Sequence, residues 1–278
     1  MLILDGKIIA EQKLAVLKNK ISSMSSKPKM SIIQVGDVFE SNKYIDIKIK
    51  QANNIGVETN HIKVSELIEQ DELIEIIEKE NKRTDGLIIQ LPLPNHLDKQ
   101  LLLNAVDVAK DIDGLSQENY NLLYENKDCI FPATAKAIIS LLSFYNIPIK
   151  HKNIGIIGES NLVGKPTKEL LRRMGGVVES FNLITGISGS ENADILIVAA
   201  GSPNLVKVEN IKEGATIVDV GVSKIGPSNK IYGDVDFESV KTKASAISPT
   251  IGGVGPLTVV SLLENLIEIY ETSLLKNN

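Results

Sequence analysis

The chain is poor in the residues that build crosslinks and metal centres. Its 278 residues include one cysteine, Cys129, and no tryptophan. A single cysteine excludes an internal disulfide and a metal site made of several thiolates. The three histidines, His61, His96 and His151, are scattered, and no pair has the spacing of metal ligands. We therefore expect no metal centre in this protein.

The sequence also lacks an excess of positive charge and any long apolar run. The chain has 30 Lys and Arg against 35 Asp and Glu, a net charge of −5, and without a basic stripe a nucleic-acid partner is not expected. No run of about 18 apolar residues is present, and the N-terminus is too short and too charged for a signal peptide. Aromatic residues make up only 4%, so Ile, Leu and Val must form most of the core. This composition is typical of a cytoplasmic enzyme or binding protein.

Short apolar runs alternate with helical patterns along the whole chain. Strands are predicted at 30–36, 57–64, 86–92, 154–158, 177–182, 195–201 and 216–221, and helices at 66–79, 101–106, 165–176 and 255–270. Another helix, carrying Tyr44, is predicted to end near Gly56. This alternation indicates βαβ units and parallel strands. We expect an α/β fold of two α/β domains joined near 140–148, with ligands in the cleft between them at the carboxyl ends of the strands.

A glycine loop, I-I-G-E-S-N-L-V-G-K-P at 156–166, lies where a strand passes into a helix. Backbone N–H groups and the helix dipole at such a junction favour a phosphate or a dinucleotide. The loop is not a P-loop, since five residues separate Gly158 from Gly164 and Pro follows Lys165, and it is not G-x-G-x-x-G. Taken alone, it is as consistent with a plain tight turn as with a nucleotide site.

Tyr44 and Lys48 stand four residues apart in S-N-K-Y-I-D-I-K-I-K-Q-A at 41–52. On a helix this spacing puts both side chains on one face. A tyrosine ring can lie flat on a planar substrate while a lysine one turn away moves a proton beside it. The alternative is an amphipathic surface helix with one more exposed lysine.

Seven segments, spread over nearly the whole chain, connect these features. They are V-G-D (35–37) with S-N-K-Y-I-D-I-K-I-K, D-G-L-I-I-Q-L-P-L-P (85–94), K-D-I-D-G-L (110–115), the glycine loop, D-V-G-V (219–222), G-D-V (233–235) and G-G-V-G-P-L-T (252–258). In this combination and order the chain resembles the bifunctional methylenetetrahydrofolate dehydrogenase/methenyltetrahydrofolate cyclohydrolase family. The segments at 85–94 and 252–258 are the most specific.

The resemblance implies an activity, a domain plan and an assembly. The activity is oxidation of 5,10-methylenetetrahydrofolate with NADP, followed by hydrolysis of the product to 10-formyltetrahydrofolate. The plan is a folate-binding catalytic domain at 1–141, completed by the C-terminal helix at 258–278, and a Rossmann-like dinucleotide-binding domain with a parallel sheet at 142–257. The assembly is a cytoplasmic homodimer that acts on a small-molecule folate, without a membrane or nucleic-acid partner.

The resemblance also assigns roles to individual residues. Tyr44 would stack on the pterin, and Asp113 would hold the pterin amino edge. Lys48 would act in catalysis, and Gln90 would hydrogen-bond near it. Gly252 and Gly253 would let the backbone approach the substrate. The dinucleotide would contact Gly158, Glu159, Ser160, Thr185 and Val222. Burial and the substrate cation would lower the pKa of Lys48, which suits proton transfer at neutral pH. An aspartate before glycine can instead be a turn cap.

The chain departs from the family where the dinucleotide's 2′-phosphate would bind. The family commonly has Arg in place of Glu159, and His and Ser in place of Asn182 and Leu183, while Thr185 is retained. A carboxylate near the ribose repels a 2′-phosphate but accepts hydrogen bonds from free hydroxyls. We therefore expect NAD instead of NADP, or weak dehydrogenase activity. An exposed loop glutamate without a role in binding is the alternative for Glu159.

Three other functions compete with the bifunctional enzyme. A short-chain dehydrogenase also uses Tyr-x-x-x-Lys, but there the glycine loop precedes the tyrosine, which is the reverse of the order here. A non-enzymatic dinucleotide-binding module would not require Lys48, Gln90 and Asp113 together. A cyclohydrolase that has lost hydride transfer stays open.

Overall fold

The computed structural model describes residues 1–184, 186–225 and 230–276. The α-helices of this part of the chain are α1 Gly6–Ser22, α2 Phe39–Ile55, α3 Gln70–Asn81, α4 Lys99–Ala105, α5 Gln117–Tyr124, α6 Ala133–Phe144, α7 Gly164–Arg173, α8 Phe237–Val240 and α9 Val254–Lys276. The strands are β1 Leu2–Ile3, β2 Lys29–Val35, β3 Glu58–Val64, β4 Gly86–Ile89, β5 Asn153–Ile157, β6 Val177–Phe181, β7 Ile195–Val198, β8 Thr216–Asp219, β9 Ser223–Ile225, β10 Lys230–Tyr232 and β11 Ala246–Ile247.

The chain forms two compact units. The six-stranded unit comprises Met1–Glu11 and Thr134–Thr258, and the three-stranded unit comprises Gln12–Ala133 and Val259–Asn278. The N-terminal strand β1 pairs with β11, in the sheet of the six-stranded unit. The functional domains expected at 1–141 with 258–278 and at 142–257 stay a prediction.

The three-stranded unit is built around a parallel sheet in the order β3-β2-β4. The central strand β2 is buried at every residue after its first, and β4 is buried throughout. Both strands are therefore rich in apolar residues, as parallel strands covered on both faces are. Gly56 ends α2 in the left-handed conformation, with φ +95°, and this confirms the predicted helix end.

Helix α3 begins at Gln70, four residues after the predicted start at 66. The difference has a local cause at Ser65. Its hydroxyl oxygen accepts a hydrogen bond from the Leu67 N–H at 3.1 Å, and its carbonyl accepts one from the Ile68 N–H at 3.2 Å. These bonds form a turn that competes with the helix, as serine often does at helix starts.

The six-stranded unit has a parallel sheet in the order β1-β11-β8-β7-β5-β6. After β5 the chain passes through α7 to β6 on one side, and it then returns to β7 on the other side of β5. The sheet therefore has a topological switch point at β5, where such folds bind ligands. Strands β7 and β8 are buried along their whole length. The predicted α/β fold with a Rossmann-like parallel sheet is confirmed.

Candidate active site

Lys48 lies on the buried face of α2. It shares the helical repeat of Ile45, Ala52 and Ile55, which are all buried, and Lys48 itself is 8% exposed. Tyr44 lies one turn earlier and is 44% exposed. Lys48 is therefore not the exposed lysine of a surface helix, whereas the tyrosine ring is open to a ligand.

Gln90 is the hydrogen-bond partner of Lys48. The Lys48 Nζ donates to Gln90 Oε1 at 3.0 Å. Gln90 follows the last residue of β4, and its backbone N–H donates to the Ile33 carbonyl at 2.8 Å. Its side-chain Nε2 donates to the Leu91 carbonyl at 2.7 Å. The second bond orients the amide so that its oxygen, a neutral acceptor, faces the lysine.

Asp113 is the charged group that acts on Lys48. Burial lowers the pKa of Lys48, and the Asp113 carboxylate partly opposes this effect. Burial raises the pKa of Asp113. The charge of Lys48 lowers this pKa, and the charge of Asp111 raises it further. Both groups are thus shifted towards their neutral forms, as groups that exchange protons in an active site commonly are.

Asp111, which sequence reasoning did not single out, builds the turn that carries Asp113. Its buried carboxylate accepts hydrogen bonds from the backbone N–H groups of Gly114, Leu115 and Ser116 at 2.8–3.2 Å. It also accepts one from Asn119 Nδ2 at 2.9 Å. Asp111 is therefore the turn cap, a role that the sequence left open for Asp113. An aspartate three residues before a glycine was the available signal.

Asn265 of α9 holds the same segment from the other side. Its Nδ2 donates to the carbonyls of Ile112 and Phe131, both at 2.9 Å. Gly114 has φ +70°, and a Cβ there would lie 2.8 Å from the Ile130 carbonyl oxygen. The backbone on each side of Asp113 is thus fixed by hydrogen bonds and by close packing.

The dinucleotide contacts expected from the glycine loop lie in the six-stranded unit, at the switch point. Gly158 has φ +106°, and a Cβ there would lie 2.2 Å from the Ala199 carbonyl oxygen. A Cβ on Gly164 would lie 1.9 Å from the Gly158 carbonyl oxygen. No larger residue fits at either position. The resulting cradle, followed by the N-terminus of α7, suits the phosphates of a dinucleotide.

Glu159 and Asn182 are hydrogen-bonded to each other beside this cradle. The Asn182 Nδ2 donates to Glu159 Oε2 at 2.9 Å, and Asn182 Oδ1 accepts from the Ile184 N–H at 2.9 Å. Leu183 is 58% exposed. Two of the residues expected to replace 2′-phosphate contacts therefore form one polar unit next to the loop.

The remaining expected contacts fall in different places. Ser160 Oγ accepts from the Val163 N–H at 3.2 Å within the loop, and Val222, after β8, is 48% exposed. Thr185 lies outside the described residues.

Gly252 and Gly253 belong to the six-stranded unit, whereas Tyr44, Lys48, Gln90 and Asp113 belong to the three-stranded unit. A Cβ on Gly253 would lie 2.4 Å from the Pro249 carbonyl oxygen, so this position accepts only glycine.

The described residues contain no group of three or more His, Cys, Asp or Glu that could hold a metal ion. None of their helices is both long enough and apolar enough to cross a membrane.

Family models match both halves of the chain. The catalytic domain of tetrahydrofolate dehydrogenase/cyclohydrolase matches residues 4–113, and the NAD(P)-binding domain of the same family matches residues 132–274. The chain belongs to the tetrahydrofolate dehydrogenase/cyclohydrolase family. The family expected from the sequence motifs is thereby confirmed, and so is a domain for a nicotinamide dinucleotide.

Relatives and solved structures of this family match over the full chain. The bifunctional protein FolD of Mycoplasma mobile is 54% identical over 280 residues, which cover 100% of both chains. That of Mycoplasmopsis synoviae is 48% identical over 279 residues, which cover 98% of this chain and 100% of the relative. The crystal structure of bifunctional FolD from Campylobacter jejuni has a TM-score of 0.95 at 36% identity and covers 98% of this chain and 99% of that one.

Proposed function

We propose that this protein oxidises 5,10-methylenetetrahydrofolate to 5,10-methenyltetrahydrofolate with a nicotinamide dinucleotide, and then hydrolyses the product to 10-formyltetrahydrofolate. The proposal rests mainly on a buried lysine with a neutral hydrogen-bond partner: Lys48 Nζ donates to Gln90 Oε1 at 3.0 Å. It lies in the part of the chain that matches the family's catalytic domain.

The hydrolytic step uses the neutral amine of Lys48. A water oxygen attacks the methenyl carbon, and Lys48 takes a proton from that water. The bond from this carbon to N5 then breaks, N5 takes the proton from Lys48, and the hydroxyl proton leaves to solvent as the formyl group forms. Because burial lowers the pKa of Lys48, the amine is available as a base closer to neutral pH.

Tyr44 and Asp113 position the pterin for both steps. Tyr44 is 44% exposed, and the face of its ring suits stacking on a flat heterocycle. The Asp113 carboxylate suits two hydrogen bonds from the pterin amino group and ring N–H. These donors favour its ionised form and oppose the effect of burial on its pKa.

The oxidative step depends on orientation more than on a strong base. The lone pair of a folate nitrogen pushes out hydride from the one-carbon bridge, so the residues that fix the bridge control the rate. The dinucleotide, when bound, supplies the hydride acceptor. Gly158, Ser160 and Val222 would hold it, with Thr185 as a further contact implied by the family.

The preferred dinucleotide is NAD. The Glu159 carboxylate beside the glycine loop repels a 2′-phosphate, and its hydrogen bond to Asn182 holds it in that position. Arginine, the usual partner of such a phosphate, is missing from position 159. Steady-state dinucleotide reduction from methylenetetrahydrofolate with NAD and with NADP tests this preference, and a higher kcat/KM with NADP would contradict it.

Two assays on one preparation separate this function from its alternatives. The first follows hydrolysis of methenyltetrahydrofolate without dinucleotide, and the second follows dinucleotide reduction. Activity in both supports the bifunctional enzyme. Hydrolysis without reduction would identify a cyclohydrolase that has lost hydride transfer, and dinucleotide binding without either activity would identify a binding module.

The assembly is a homodimer and the compartment is the cytoplasm. Both proposals rest on the family resemblance. Light scattering tests the first, with an expected mass near twice the 30.2 kDa of one chain.

A further inference from the structure

Two buried aspartates lie at the carboxyl end of the sheet in the six-stranded unit. Asp219 is the last residue of β8, and Asp234 follows β10. Asp219 is 4% exposed and Asp234 is fully buried. Neither has a part in the function proposed above, although both occur in segments shared with the family.

Asp219 connects three segments of the chain. Its Oδ1 accepts from the backbone N–H groups of Gly221 and Asp234, both at 3.1 Å. Its Oδ2 accepts from Thr250 Oγ1 at 3.2 Å and from the Val235 N–H at 3.4 Å. The carboxylate therefore holds together the loop after β8, the segment after β10 and the segment that leads to Gly252.

Asp234 connects a fourth segment. Its Oδ2 accepts from the backbone N–H groups of Ala200 and Gly201 at 2.7 and 2.8 Å, directly after β7. Its Oδ1 has no hydrogen-bond partner among the described residues. A Cβ on Gly221 would lie 2.0 Å from the Asp234 Cγ, so the carboxyl group packs against the loop after β8.

These four segments carry or support the expected ligand contacts of this unit. Val222 follows Gly221 in the loop after β8. The carbonyl of Ala199, next to the N–H groups held by Asp234, forms the wall against which Gly158 packs. Gly252 and Gly253 follow Thr250. A shift of either carboxyl group would therefore move backbone that the dinucleotide or the folate is expected to touch.

We propose that Asp219 and Asp234 are positioning residues of the dehydrogenase site, which hold the dinucleotide loops and the Gly252–Gly253 segment in their binding conformation without touching either ligand. This inference rests on the function proposed above. Asp234 acts on the dinucleotide side, through Ala200 and Gly201. Asp219 acts on both sides, because it binds the loop after β8 and also Thr250.

The electrostatics of the pair support a functional role. Burial raises the pKa of Asp219 to about 7, and the charge of Asp234 adds to this effect, while hydrogen bonds from backbone N–H groups and Thr250 oppose it. Burial also raises the pKa of Asp234. Two adjacent buried carboxyl groups cost stability, and such costly arrangements are typical of functional sites.

The test compares the Michaelis constants of five variants, because a Michaelis constant does not depend on the fraction of folded enzyme. In Asp234→Ala the N–H groups of Ala200 and Gly201 lose their acceptor, and the KM for dinucleotide should rise about tenfold or more. Methenyltetrahydrofolate hydrolysis should stay within about twofold, since this step needs no dinucleotide. In Asp234→Asn the amide oxygen can still accept from both N–H groups, so the KM should return close to that of the parent.

Asp219→Asn should raise the KM for dinucleotide and for folate, each by about tenfold, because one of its acceptor oxygens becomes a donor. The matched control is Asp194→Asn at the opposite end of the sheet. The Asp194 carboxylate also binds a backbone N–H, that of Asn153 at 3.0 Å. Its replacement should leave every KM unchanged. Thr250→Val is a milder second variant on the folate side, with an expected rise of about threefold in the KM for folate.

A purely structural role would give a different result. In that case Asp234→Ala would lower the melting temperature and the yield but would leave the KM for dinucleotide within about twofold, which would overturn the proposal. Direct titration with NADH and NADPH keeps the two hypotheses apart. If the parent protein binds neither, the proposed function fails; if the parent binds and Asp234→Ala binds equally tightly, the positioning role fails.

Discussion

The lysine site of the three-stranded unit and the glycine loop of the six-stranded unit differ in how far they are buried. Lys48 is 8% exposed, and Gln90 and Asp113 act directly on it. Around the glycine loop, Glu159 and Asn182 bind each other at the surface, and Leu183 is 58% exposed. In the proposed function, the chemistry therefore rests on groups whose burial shifts their pKa, while the choice of dinucleotide rests on exposed groups. Exposed groups can change without cost to the core.

The largest effect should come from Lys48→Met, which removes the base and keeps the apolar stem. Hydrolysis of methenyltetrahydrofolate should fall about a thousandfold or more, because the methionine cannot take a proton from water. Folate affinity, measured by calorimetry, should change little. Lys50→Met, at an exposed position of the same helix, is the matched control. Near-normal hydrolysis in Lys48→Met would remove this residue from the mechanism.

A smaller effect should follow from Gln90→Glu, which places a carboxylate beside the Lys48 amine. The negative charge stabilises the ammonium form and raises the pKa of Lys48. At neutral pH hydrolysis should fall about tenfold, and the rise of its rate with pH should shift to higher pH, since only the neutral amine acts as a base. The pH–rate profile measures this shift, with Gln117→Glu at an exposed position of α5 as the control. An unshifted profile would mean that Lys48 is not the titrating base.

Glu159→Arg tests whether the exposed residues beside the glycine loop determine the choice of dinucleotide. The substitution removes the repulsion and adds a donor for a 2′-phosphate, so the ratio of kcat/KM for NADP to that for NAD should rise about tenfold. Hydrolysis should not change. Glu179→Arg, at an exposed position of β6, makes the same change of charge elsewhere in the unit. An equal change of the ratio in both variants would show a general effect of charge and not a specific contact.

The smallest expected effect is a change in the pH dependence of the melting temperature when Asp219 of the six-stranded unit is replaced. The pKa of Asp219 is raised from 3.8 to about 7 in the folded protein. Its contribution to stability is therefore full below the unfolded value and is lost as the pH rises through the folded one. In Asp219→Asn the decline of the melting temperature between pH ~4 and ~7 should become shallower by a few degrees.

Asp194 is the control for this measurement, because its pKa is shifted in the opposite direction. Its pKa is lowered, first by the hydrogen bond from Lys212 and then by that from the Asn153 N–H. The contribution of Asp194 is therefore present above the unfolded pKa and lost as the pH falls through the lower folded one. Asp194→Asn should leave the slope between pH ~4 and ~7 nearly unchanged. Equal slopes in the parent and Asp219→Asn would show that Asp219 does not titrate in this range.

Much of the fold could be predicted because the signals are local. Strand patterns in the sequence marked β2 to β4 of the three-stranded sheet and β5 to β8 of the six-stranded sheet, and Gly56 marked the end of α2. Two-residue strands such as β1 and β11 could not be predicted, because a pair of apolar residues has no periodicity and its pairing is non-local. Helix α3 was predicted four residues too early, since the turn at Ser65 depends on one side-chain hydrogen bond.

The sequence by itself determined the family and the α/β class and indicated candidate residues for the chemistry, because motifs and periodicity are carried by neighbours along the chain. Only the tertiary structure decided which aspartate caps the turn at Asp111 and which one is left to act on Lys48. It also decided that Asp219 and Asp234 are buried side by side, although 15 positions separate them. Burial and the approach of distant groups set hydrogen bonds and pKa values, and neither is a property of a residue's sequence neighbours.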